Sequence, residues 1–264
     1  MVKDLQHTVL KTIDLNIGYQ SRSQYHEIAS NINLELQSGE LVGMIGPNGI
    51  GKSTLIRTLL GMQNALSGQI LLNSKDINAI RSSEFSQIIS VVLTESIATK
   101  NLTVFELVAL GRQPYTNWIG QLTSEDLKHI NSALKLTKTE NMKGKKCYEL
   151  SDGQLQNVMI ARAIAQDTAM IVLDEPTTHL DLHHKAYILN LLKTLSTETN
   201  KTILFSSHEV ELAMQVCHKL ILMTKDSVII ETPENHIKQN NFDRLFPEDL
   251  ISFNPQSKSF IVKK

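Results

Sequence analysis

The stretch GPNGIGKST, Gly46 to Thr54, carries the residue types and spacing best suited to chemistry in this chain. It matches G-x-x-x-x-G-K-[ST] through Gly46, Gly51, Lys52 and Ser53, with an apolar run before it (Leu41–Ile45) and a helix-like run after it (Leu55–Leu60). Glycines let consecutive backbone N–H groups face a phosphate chain, and Asn48, Gly49 and Thr54 belong to the same cradle. Lys52 reaches the outer phosphates and Ser53 offers a hydroxyl to Mg²⁺. A helix starting near Lys52 adds the positive end of its dipole.

Three further groups have chemistry of the same kind. MIVLDEP is an apolar strand ending in Asp174 and Glu175. An aspartate at such a strand end holds Mg²⁺ through water, and the neighbouring glutamate is placed to polarise an attacking water. LSDGQ, Leu150 to Gln154, precedes the helical pattern LQNVMIARAIAQ. Locally it reads as a helix start, with Ser151 as the cap and acidic Asp152 in the first turn. SSH, Ser206 to His208, ends another apolar strand, 34 residues after Asp174.

Taken together and in this order, the motifs resemble those of ABC-type ATPases, and the resemblance covers nearly the whole chain. LSDGQ lies 20 residues before Asp174, where the family places its LSGGQ signature. Asp152 stands where the family has glycine, so its carboxylate must point away from phosphate. The resemblance implies ATP with Mg²⁺ as the nucleotide. It implies that Ser151, Gly153 and Gln154 serve the γ-phosphate bound by a partner subunit. Asp181, in THLD, corresponds to the loop that lines the dimer interface, and His208 to the histidine that touches the γ-phosphate. Tyr19, in LNIGYQ, corresponds to the aromatic that stacks on adenine. Glu95 falls at the position of a magnesium-contacting glutamine, with Thr94 the alternative by one residue. Lys52, Glu175 and His208 are the expected catalytic groups; Ser53, Glu95 and Asp174 are the expected metal ligands. The expected working unit is a head-to-tail homodimer around two ATPs. His183 and His184 have no such context and read as surface residues.

The elements that must position these groups read as α/β. Four short apolar runs, Leu41–Ile45, Met170–Leu173, Thr202–Phe205 and Lys219–Met223, alternate with helical spacing, which argues for a mainly parallel sheet. That is a P-loop NTPase core with an antiparallel β subdomain in the first 40 residues, expected as short strands and turns. Residues from about 95 to 150 are polar and helical in pattern, an inserted helical lobe. The expectation is one domain over 1–264, with 1–94 and 151–264 as the core. The tail from Ser227 returns to short strands with a small helix near Asn235–Gln239.

Bulk properties narrow the output. Net charge is −1, which gives no bulk attraction to nucleic acid. The longest apolar run is five residues, Ala169–Leu173, against the ~20 needed to span a bilayer. The N-terminal MVKDLQHTVL lacks the apolar core of a signal peptide. Cys147 and Cys217 fit no metal spacing and read as reduced cytosolic thiols. TVFELVALGRQPY followed by GQLTSED, within Thr103 to Asp126, resembles subunits that energise uptake of iron–siderophore, haem or cobalamin. That implies integral membrane permease subunits as partners, a substrate-binding protein acting indirectly, and a place on the cytoplasmic face of the membrane. Tyr115 and Trp118, flanking Pro114, are expected as exposed aromatics that dock the permease. Two alternatives stand beside this: a soluble ABC ATPase acting on nucleic acid or ribosomes, and a P-loop nucleoside kinase. The kinase leaves Leu150–Gln154 and His208 without a role.

Overall fold

A computed structural model describes residues 7–20, 25–93, 100–246 and 250–263. In chain order the elements are β1 (Thr8–Gln20), β2 (Tyr25–Ile32), β3 (Glu35–Gln37), β4 (Leu41–Ile45), α1 (Lys52–Leu59), β5 (Ser67–Leu72), β6 (Lys75–Asp76), α2 (Ser82–Ile88) and β7 (Ile89–Val92). Then follow α3 (Val104–Ala109), α4 (Ser124–Leu136), α5 (Asp152–Ala165), β8 (Met170–Leu173), α6 (Leu182–Thr199), β9 (Thr202–Ser207), α7 (Val210–Val216), β10 (Lys219–Met223), β11 (Val228–Glu231), α8 (Pro233–Lys238), β12 (Ile251–Asn254) and β13 (Ser259–Val262). They form two compact units, Met1–Ile80 with Thr202–Lys264, and Arg81–Lys201.

In the first unit, β4 is the hub. It pairs in parallel with β9 on one side and β10 on the other, with β11 added antiparallel outside β10. All five residues of β4 are buried. A strand covered on both faces must be apolar throughout, which is why LVGMI shows no alternation. Gly43 fits between its neighbours because a Cβ there would stand 3.0 Å from both Cys217 Sγ and Leu220 Cδ2. The antiparallel strands order as β2-β1-β5-β6, with β3 also on β1. The early strands were expected to be short, but β1 runs 13 residues. It stays continuous by bending: its register against β5 shifts between Ile13 and Asn16, where Asp14 takes φ 46°. The bulge lets one strand run where several short ones were expected. The terminal hairpin β12–β13 rests on an aromatic cluster of Phe242, Phe246, Phe253 and Phe260.

In the second unit, β7 and β8 pair in parallel, with all four residues of β8 buried. α5 contributes a buried stripe, Val158 to Ala161 with Ala163 to Ala165. Thr103 and Thr123 start α3 and α4, each with a reciprocal capping box to the residue three on. Arg112 is buried and paired with buried Asp126 at 2.8 Å, and it also donates to the Ala165 carbonyl at the end of α5. Gly111 lets the chain approach that same helix, since a Cβ would lie 2.3 Å from the Arg162 carbonyl oxygen.

Candidate functional site

The residues expected to carry the chemistry fall into two sets, one in each unit. The first is the loop after β4. Its glycines answer to different constraints. At Gly46 a Cβ would stand 2.6 Å from the Met223 carbonyl oxygen. At Gly51 the backbone is left-handed (φ 109°) and a Cβ would stand 2.3 Å from Ile28 Cγ2. α1 then begins at Lys52 with no side-chain cap and no acidic residue in its first turn. An uncapped, acid-free helix start suits an anion.

Lys52 is buried and turned back into the loop. Its Nζ donates to the Gly46 carbonyl (2.9 Å) and the Pro47 carbonyl (3.1 Å), and lies 3.4 Å from His208 Nδ1. The exposed His208 follows β9, so the parallel pairing of β4 and β9 brings histidine and lysine to one place across 156 residues of sequence. Ser53 is exposed, while Thr54 is buried. The Tyr19 hydroxyl lies 3.0 Å from Thr54 Oγ1, and the residue is 54% exposed. Tyr19 thus stands at the rim of the loop, in a shallow depression with Gly18, Gln63 and Leu66. Lys52, Thr54, Tyr19 and His208 are one constellation.

The second set follows β8. Asp174 is buried and its N–H donates to the Val92 carbonyl (2.8 Å). Glu175 takes φ 49°, and its carboxylate accepts from Thr178 Oγ1 (3.1 Å). Ser151 caps α5 in a reciprocal box: its hydroxyl accepts from Gln154 N–H (3.3 Å), and Gln154 Oε1 accepts from Ser151 N–H (3.1 Å). Asp152 is exposed in the first turn. Gly153 is buried, and a Cβ there would stand 3.1 Å from His184 Cδ2.

His184 lies at the surface, as the sequence suggests, but it has partners. It is half-buried against Gly153 and bound to Asp181, which accepts from its backbone N–H (2.8 Å) as the cap of α6 and lies 2.9 Å from its Nδ1. Those two contacts, the backbone one first, hold the Asp181 carboxyl below its ordinary range. The spacing D-x-x-H at a helix start was available as a capping signal; the contact with Gly153, 31 residues away, was not. His183 is exposed. Glu95 and Thr94 lie outside the described residues. Of the docking pair, Trp118 is 94% exposed, but Tyr115 is partly engaged, with the Arg112 guanidinium 4.0 Å from its ring centroid.

Within the first unit, the glycine-lined backbone, the buried ammonium and the exposed serine suit a nucleoside phosphate; taken by itself, the second unit offers a buried carboxylate followed by a half-buried one. Among the described residues, no helix is long and apolar enough to cross a membrane.

Residues 29–178 match the family model described as ABC transporter. An uncharacterised ABC transporter ATP-binding protein of Methanocaldococcus jannaschii is 38% identical over 90% of this chain and 81% of its own. The iron(3+)-hydroxamate import ATP-binding protein of Bacillus subtilis is 37% identical over 84% of this chain and 81% of its own. Among solved structures, a dimeric ATP-binding cassette in a post-hydrolysis state with ADP and phosphate superimposes with a TM-score of 0.74 at 27% identity, covering 85% of this chain and 98% of that one.

Proposed function

The chain belongs to the ABC transporter family as an ATP-binding, ATP-hydrolysing subunit, and from that premise we propose how its residues divide the work and what the work drives. The observation that carries the reading is Lys52, held between the Gly46 and Pro47 carbonyls and beside His208 at the start of an uncapped helix. On arrival of ATP, Lys52 exchanges those carbonyls for the outer phosphate oxygens, a charge-assisted contact. The loop N–H groups hold the remaining oxygens, and Tyr19 lies against the base. Ser53 and Asp174 would hold Mg²⁺, which screens the phosphate charge when bound; Glu95 is the proposed third ligand. Glu175 takes a proton from the attacking water, and His208 steadies the γ-phosphate. Ser151, Gly153 and Gln154 meet the γ-phosphate of a second copy, with Asp181 lining the same interface. The dimer closes on ATP and reopens after hydrolysis.

That cycle drives an importer. The relatives' names point to iron chelates, and the Thr103–Asp126 resemblance points to the same cargo class, with haem and cobalamin in the same group. The exposed Trp118, with Ile119 (69% exposed) beside it, is the docking point for a permease at the cytoplasmic face of the membrane. Membership of this family removes the nucleoside-kinase alternative.

Two measurements test the reading. Lys52→Ala should lose tight ATP binding, and Glu175→Gln should bind ATP, accumulate as a dimer and hydrolyse ~10²–10⁴-fold more slowly. Normal turnover by Glu175→Gln removes it as the base. Second, a deletion strain limited to an iron chelate should stop growing and be rescued by the wild-type gene but poorly by Trp118→Ala. Growth of the deletion strain on iron chelate, haem and cobalamin alike rejects the cargo class. Copurification with ribosomes instead of membranes supports the soluble alternative.

A further inference from the structure

We propose that Asp181, His183 and His184 form a binding site for a divalent transition-metal ion at the turn into α6. One ligand atom of each lies within 4.8 Å of the others. Asp181 Oδ2 and His184 Nδ1 are already 2.9 Å apart, the separation of two corners of one coordination polyhedron. The rings of His183 and His184 stand nearly perpendicular with centroids 5.8 Å apart. His183 is exposed, and metal–ligand bonds of about 2.0–2.2 Å require the ligand atoms, now within 4.8 Å of one another, to draw closer.

The donor chemistry selects the ion. Two imidazoles and one carboxylate favour Zn²⁺, Co²⁺, Ni²⁺ or Fe²⁺ over Mg²⁺ and Ca²⁺, which prefer oxygen throughout. Water completes the shell. Asp181 Oδ1 keeps the α6 cap by accepting from the His184 N–H, while Oδ2 turns to the ion. A filled site would lock His184, whose ring rests against Gly153, and Asp181 to one centre. The ion would therefore stiffen the two places where a second copy is proposed to dock, and slow hydrolysis.

The test titrates untagged full-length protein, without nucleotide, with ZnCl₂ by calorimetry and with CoCl₂ by visible absorption. One ion per chain is expected, with a Co²⁺ d–d band. His183→Ala, a surface change, and His184→Gln should each weaken binding by more than about tenfold. No Zn²⁺ binding, or binding by both variants as tight as wild type, overturns the proposal. This arm needs no ATP, so its result is independent of the proposed nucleotide chemistry. In a second arm, with Mg²⁺ in excess, one equivalent of Zn²⁺ should slow ATP hydrolysis by wild type and leave His183→Ala at its metal-free rate. Equal inhibition of both places the effect at another site and overturns the functional half.

Discussion

The phosphate loop and the signature start are both glycine-bearing turns that open a helix, and they are built in opposite ways. The loop is shaped by exclusion. Its geometry depends on side chains that are not there, since a Cβ at Gly46 or Gly51 would collide with Met223 or Ile28. The signature is shaped by provision. Ser151 and Gln154 cap one another, and the turn is satisfied without any ligand. Its support comes from a distance: His184 against Gly153 at the near end, Arg112 on the Ala165 carbonyl at the far end. A loop made by exclusion fails at its own residues. A turn made by provision fails at its supports.

Arg112→Ala is the most damaging change on this view. It leaves Asp126 charged and buried, a cost of about 3–5 kcal/mol. Urea melts should show that loss, and hydrolysis should fall while the remaining folded protein still binds ATP through its loop. A melt like wild type would mean that the far-end support does not matter. Gly51→Ala comes next, at roughly 2–4 kcal/mol from backbone strain and overpacking together, with ATP binding lost by titration. If Gly51→Ala binds ATP normally, exclusion does not shape the loop. Ser151→Ala should cost about 1 kcal/mol of stability, with unchanged ATP affinity in the monomer and slowed hydrolysis. Asp152→Gly should be smallest, moving hydrolysis by about twofold at most (~0.4 kcal/mol), because Asp152 is already exposed.

Acid sharpens the same contrast. Thr123's hydroxyl and backbone N–H, and then Arg112, hold the Asp126 carboxyl at about 2. The folded value lies below the unfolded one of about 3.9, so the group stabilises the protein above that pH and the contribution is lost as pH falls from about 4 towards 2. Asp126→Asn should flatten that limb of a stability–pH curve; an unchanged limb would assign it to other carboxylates.

What could be read from the chain follows the same division. The loop was legible because exclusion leaves glycines in the sequence at fixed spacing, with an apolar strand before them. β4, β8, β9 and β10 were legible because strands buried on both faces lose their alternation. The signature was recognisable by its order and spacing, but its supports were not. The contact of His184 with Gly153 and that of Arg112 with Ala165 span 31 and 53 residues, and no local pattern encodes which helix faces meet. The Tyr19–Thr54 contact was hidden for the same reason, and β1 runs on through a bulge where short strands were expected.

The backbone at Glu175 has a further consequence. At φ 49° the position suits glycine or asparagine, and a long acidic side chain there costs the fold of order 1 kcal/mol or more. Replacing it with glycine should make a protein that survives heat better and does nothing with its nucleotide. Selection for thermal robustness alone, in a directed-evolution experiment blind to turnover, would therefore drift towards inert variants at this codon. Durability and the proposed turnover role are opposed here within a single residue, and the opposition is written in a main-chain torsion, not in the carboxylate proposed as the base.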